Sequence, residues 1–144
     1  MKRRFLVFGV LFCSVLALTG CGSKKETKLV CTQTTSGVDI EIDAVFKNDE
    51  VSTVDFSYGM DLSKYSDTQI EAIGKQDFCK IVKSAIGAYK DAFGNCKHEV
   101  KDKKLSLTAS LDPDKLASAG LSKKSTPEQG KKSFESQGYK CETK

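Results

Sequence analysis

The sequence predicts an α+β domain, with an antiparallel sheet built as a three-stranded meander plus a second hairpin and a C-terminal strand. One long helix covers that sheet, and two shorter C-terminal helices follow it. Three observations predict this. Val38 to Phe46 alternates apolar and polar residues, the period of a half-buried strand. Ile70 to Phe93 repeats apolar residues at helical spacing. Turn residues then bracket a further alternating pair of runs, Cys96 to Val100 and Leu105 to Leu111.

Leu29 to Thr34 reads as the first strand, and Ser36-Gly37 supplies a two-residue turn into Val38 to Phe46. In that second run Val38, Ile40, Ile42, Ala44 and Phe46 share one face, and Asp39, Glu41 and Asp43 share the other. Lys47-Asn48-Asp49-Glu50 turns the chain into a third strand with Val54, Phe56 and Tyr58 on its apolar side. An odd-length loop sets Ile40 beside Tyr58, Ile42 beside Phe56 and Ala44 beside Val54; the same register sets Asp43 opposite Asp55.

Ser66-Asp67-Thr68-Gln69 has the form of a capping box, in which Ser66 accepts from the backbone of Gln69 and Gln69 reaches back. The helix it starts carries Ile70, Ile73, Phe78, Ile81, Val82, Ala85, Ile86, Tyr89 and Phe93 on one stripe, with Gly87 or Gly94 as the place to bend or stop. In the second hairpin Asp102-Lys103 is the turn. Asp112-Pro113 opens a short helix through Leu116, and Thr126-Pro127-Glu128-Gln129 is a second capping box with proline at its favoured first position. Leu121 to Ser125 is the one loose loop, Gly138 ends the last helix, and Tyr139 to Glu142 closes as a strand.

The N-terminus predicts an address. Lys2, Arg3 and Arg4 precede a mostly apolar run from Phe5 to Leu18, which is too short to span a bilayer, and Leu18-Thr19-Gly20-Cys21 ends it as lipoprotein signals end. Residues 1–20 read as that signal, Cys21 as the lipid-attachment site, 21–28 as a lipidated tether and 29–144 as a single domain. The seven residues 22–28 after the lipidated cysteine, at about 3.3 Å each, hold the domain within about 25 Å of its membrane. Removing the signal leaves 124 of the 144 residues, with 20 basic against 19 acidic, so the +4 of the whole chain is mostly the signal's own. No nucleic-acid field follows from so even a balance.

Of six cysteines, Cys13 belongs to the signal and Cys21 to the lipid. Cys31, Cys79, Cys96 and Cys141 remain, an even set suited to disulfides in an exported domain. Their spacings of 48, 17 and 45 residues lack the close pairs of a four-cysteine zinc site. Spacing leaves three connectivities open. Strand faces favour Cys31 with Cys141 and Cys79 with Cys96, the second pair requiring that the long helix end or bend near Gly87.

Nothing in the chain has the form of a nucleophile elbow, a phosphate-cradling glycine loop or a zinc-binding helix motif. His98, the one histidine, shares the side of Leu107 and reads as a packed side chain rather than a catalytic base. The sequence therefore assigns no catalytic residue, no cofactor and no metal. Asp39, Glu41, Asp43 and Asp55 form an acidic sheet face that invites a cation, a lysine or a basic partner. Tyr58, Tyr65, Tyr89 and Tyr139 read first as packing and second as a sugar- or peptide-binding platform.

With the lipobox, Leu29-Val30-Cys31-Thr32 in the first strand and Phe134-Glu135-Ser136-Gln137-Gly138-Tyr139-Lys140-Cys141 at the end, the chain resembles the small YehR-like bacterial lipoproteins of unknown function. The resemblance implies an α+β lipoprotein whose first and last cysteines pair, treats Cys79 and Cys96 as an addition, and brings no known activity. The resulting expectation is a non-enzymatic lipoprotein on the extracytoplasmic face of the cell membrane, serving as a surface binding or accessory protein. Two alternatives remain: a small inhibitor or adaptor that meets a basic envelope enzyme through the acidic face, and a structural envelope protein. Its expected partners are the membrane, through the lipid, and a protein of the envelope.

Overall fold

A computed structural model of the chain describes residues 25–119 and 122–144. The signal, Cys21 and the first part of the tether lie outside the described residues. Among the described residues six antiparallel strands form one sheet: β1 (Glu26–Thr35), β2 (Val38–Lys47), β3 (Glu50–Asp61), β4 (Phe93–Lys101), β5 (Lys104–Leu111) and β6 (Lys140–Thr143), in the order β4-β5-β3-β2-β1-β6. The first strand starts at Glu26, inside the stretch expected as tether.

Register follows from alternation. Ile40 pairs with Tyr58, Ile42 with Phe56, Ala44 with Val54 and Asp43 with Asp55. The parity, however, does not come from an odd loop. Asn48 and Asp49, at φ of 53° and 60°, make a two-residue turn of the kind that matches strand twist. A bulge follows: Val45 pairs with Thr53 and Phe46 with Val51, which leaves Ser52 as the extra residue. An even loop plus one bulged residue gives the same offset as an odd loop. Ser36-Gly37 and Asp102-Lys103, all at positive φ, close the other two hairpins, and His98 pairs with Leu107.

The expected long covering helix is not there. In its place stand α1 (Asp67–Gly74), α2 (Phe78–Ala85) and a single 3₁₀ turn over Gly87–Tyr89, while Phe93 already opens β4. Local chemistry breaks the run twice. After Gly74, a weak helix residue, the Asp77 carboxylate accepts from the Lys80 amide at 3.1 Å and starts a new helix instead of continuing the old one. After Ala85 the chain turns at Gly87, whose φ of +53° glycine adopts without steric cost. The capping box at Ser66 and Gln69 starts α1, yet α1 buries no side chain, so the covering role falls to Phe78 and Val82 of α2. The short helix after Asp112 is a 3₁₀ helix, Pro113–Ala119, and α3 (Pro127–Ser136) starts at the Thr126/Gln129 capping box. Where a loose loop was expected, the Ser122 amide donates to the buried Ser125 hydroxyl at 3.0 Å, so the described part of that segment is a tied turn.

The core lies between one face of the sheet and this layer of short elements. Leu29, Phe46, Val51, Val54, Leu105 and Leu107 supply it from the strands, with Leu62, Leu116 and Phe134 from above. Two disulfides staple it, Cys31–Cys141 between the directly opposed strands β1 and β6, and Cys79–Cys96 between α2 and β4. These are the pairs that the strand faces favoured. No helix among the described residues is long and apolar enough to cross a membrane.

Candidate functional site

Between α2 and the centre of the sheet the side chains do not close up. They leave an apolar cavity of about 280 Å³. Its floor is the alternating face read from the sequence, Ile40 and Ile42 of β2 with Phe56 and Tyr58 of β3, and Leu111 of β5. Its roof is Val82 and Ala85 at the C-terminal end of α2, then Ile86 and Tyr89 where the chain turns. Tyr139, just ahead of β6, closes the far side. The helical run breaks at this roof, where α2 ends at Ala85 and the chain turns at Gly87.

Three tyrosines border this apolar space. The Tyr89 hydroxyl donates to Gln137 Oε1 at 3.4 Å. Those of Tyr58 and Tyr139 have no hydrogen-bond partner among the described residues. Burial raises the pKa of Tyr139, with nearby Tyr89 adding to it, and burial likewise raises that of Tyr58, with Tyr65 adding. Both phenols are therefore held in the neutral form, able to donate as well as accept. The Tyr139 ring meets Phe134 edge to face, with centroids 5.8 Å apart. Apolar walls with a few unanswered polar groups are the general form of a small-ligand site. A larger depression of about 560 Å³, between the β2–β3 turn and Pro113–Ala119, lacks that character: Lys123 and Asp114 on its wall satisfy each other at 2.8 Å.

The acidic face is present on the outer side of the sheet, but the chain answers much of it from within. Lys28 of β1 reaches across Val30 to Asp43 Oδ2 at 2.9 Å, and the carboxylates of Asp43, Glu41 and Asp55 raise its pKa. Thr34 donates to Asp39 at 2.8 Å. Of the cation, lysine or basic partner that Asp43 opposite Asp55 invites, the structure supplies the lysine. Tyr65 is exposed and does not line the cavity.

His98 is half-buried, its ring edge-on to Phe78 at 5.9 Å and its Nδ1 3.6 Å from Cys79 Sγ. That sulfur is bonded to Cys96, so no thiol stands beside the imidazole. Asp77, which the sequence reading had not singled out, brings a carboxylate to the same place.

No family model matches the chain, and neither does any curated protein. Two solved structures share its fold. An NMR structure of a protein from Streptococcus pneumoniae TIGR4 matches over 99% of this chain and 100% of its own, at 15% identity and a TM-score of 0.52. The NMR structure of the E. coli YehR protein matches over 83% of this chain and 93% of its own, at 19% identity and a TM-score of 0.53. The chain thus has the fold of YehR.

Proposed function

We propose that the protein is a non-enzymatic, lipid-anchored binding protein of the extracytoplasmic membrane face, a YehR-like lipoprotein held by Cys21, and that it captures a small apolar group in the cavity beneath α2. The cavity carries this reading. A void of about 150 Å³ lined by apolar side chains already takes up benzene, so about 280 Å³ has room for a bicyclic aromatic or a bulky side chain of a peptide. The neutral hydroxyls of Tyr58 and Tyr139 select, within that class, a group bearing one hydrogen-bonding atom. The lipobox and the paired end cysteines support the anchored, exported setting.

Indole tests the site, because it is planar, bicyclic and carries a single N–H. At about 0.5 kcal/mol per heavy atom its nine atoms give roughly 4–5 kcal/mol, a dissociation constant near 1 mM. Titration followed by amide chemical shifts should saturate in that range, with the shifts confined to Ile40, Tyr58, Val82, Ile86, Tyr89 and Tyr139. Unsaturable shifts spread over the surface, or none at all, would remove the cavity as a binding site.

A further inference from the structure

We propose that the Cys79–Cys96 disulfide masks a metal site, which reduction opens as a two-cysteine, one-histidine, one-aspartate centre for zinc. Donor atoms of Asp77, Cys79 and His98 already lie within 4.8 Å of one another, His98 Nδ1 is 3.6 Å from Cys79 Sγ, and Cys96 Sγ is bonded to that same sulfur. A tetrahedral zinc ion, with bonds of roughly 2.0–2.3 Å, sets its ligand atoms about 3.3–3.8 Å apart. The imidazole stands at that spacing now. Releasing the S–S bond lets the two sulfurs part to it, while Asp77, exposed at the start of α2, caps the helix through Oδ1 and keeps Oδ2 for the metal. Cys96 and His98 are two residues apart on β4, while Asp77 and Cys79 are two apart across the cap of α2, so each of the two elements brings a pair of ligands to the same place.

Access selects this disulfide over the other. Cys31 and Cys141 are 0% and 9% exposed, whereas Cys79 and Cys96 are half-buried and within reach of an attacking thiolate. The reductant is a dithiol, such as a thioredoxin-type donor. Its two thiols become a disulfide, two electrons break the Cys79–Cys96 bond, and both sulfurs leave as thiols. Zinc then displaces one proton from each and binds two thiolates, the neutral imidazole and the carboxylate.

Cobalt(II) tests the site, since thiolate-to-metal charge transfer and intense tetrahedral d–d bands report its ligands directly. The whole protein is treated with limiting dithiol, differential alkylation confirms which cysteines are free, and Co²⁺ is added with and without competing Zn²⁺. Expected is uptake of one Co²⁺ per chain with both band types once Cys79 and Cys96 are free and Cys31–Cys141 is intact, loss of the bands on adding Zn²⁺, and none of this in the oxidised protein. His98→Gln and Asp77→Asn should each weaken binding by about tenfold or more. The wild-type comparison needs no variant to fold. Reduced protein that takes up no cobalt, equal uptake before and after reduction, or bands that appear only once Cys31 and Cys141 are free would each overturn the proposal.

Discussion

Filling the cavity tests its two attributes, emptiness and accessibility, in a single variant. Ala85 lies in the last turn of α2, on the roof of the void. Ala85→Leu adds three carbons, and at about 0.8 kcal/mol per buried carbon full burial would add roughly 2.4 kcal/mol of stability. Ala85 is exposed on its solvent side, so only part of the larger side chain enters the apolar space. Helix propensity takes back a few tenths. A net gain of about 1 kcal/mol follows, a rise of roughly 3–5 °C in Tm for a domain of this size. Large-for-small changes in a filled core instead cost about 1–3 kcal/mol, so the sign of the change distinguishes an empty cavity from packed protein. Urea denaturation measures the stability and the indole titration measures occupancy, which should fall at least about tenfold. Loss of more than about 1 kcal/mol with indole binding intact would show that the roof is closed and the proposed site is elsewhere.

Two further outcomes follow. Cys21→Ala should release the protein from the membrane fraction or leave its precursor uncleaved, as fractionation of cells would show; equal membrane retention would refute the anchor. For Tyr139, burial raises the folded pKa above the ordinary 10.0, so the native state holds this proton more tightly than the unfolded chain does. The stability this contributes is fully present below about pH 10 and is lost as pH rises through the folded value. Tyr139→Phe should therefore flatten part of the decline in urea midpoint as the pH rises above about 10, with Tyr58 keeping the rest; an unchanged decline would mean that Tyr139 is well solvated.

What the sequence made legible was set by local rules. Alternation placed Ile42 against Phe56 and Cys31 on the core side, because a strand's period of two admits no other face. The capping boxes at Ser66 and Thr126 announced α1 and α3, because each needs only four consecutive residues. The helix break was not legible from the apolar stripe. Ile70, Ile73, Phe78 and Val82 keep helical spacing across residues 75–77, and hydrophobic periodicity does not register a backbone that stops and restarts. The signals were Gly74 and the N-capping carboxylate of Asp77, followed by the need to bring Cys79 to Cys96. The cavity was hidden for a different reason. Its lining comes from β2, β3, β5, α2 and the approach to β6, and each of those residues taken singly reads as core. Only their failure to meet is informative, and a failure to meet is a property of tertiary placement.

The same break explains why α2 needs its disulfide. A helix of eight residues is far below the length at which helices persist unaided in water. Only Phe78 and Val82 of it are buried, and α1 before it packs no more than the part-buried Ile70 and Ile73 against the core. By contrast α3 is fixed to the sheet by Phe134, which is 2% exposed and meets Tyr139, itself followed directly by β6. Closing a 17-residue loop through Cys79–Cys96 removes roughly 3 kcal/mol of unfolded-state freedom on the chain-entropy estimate, about as much as a fully buried large apolar side chain contributes. That link holds the N-terminal end of α2 to β4, while its C-terminal end roofs the cavity with Val82 and Ala85. The cavity therefore lies under the helix most dependent on a covalent anchor, and the condition of Cys79 and Cys96 bears on the apolar site as well as on the metal site.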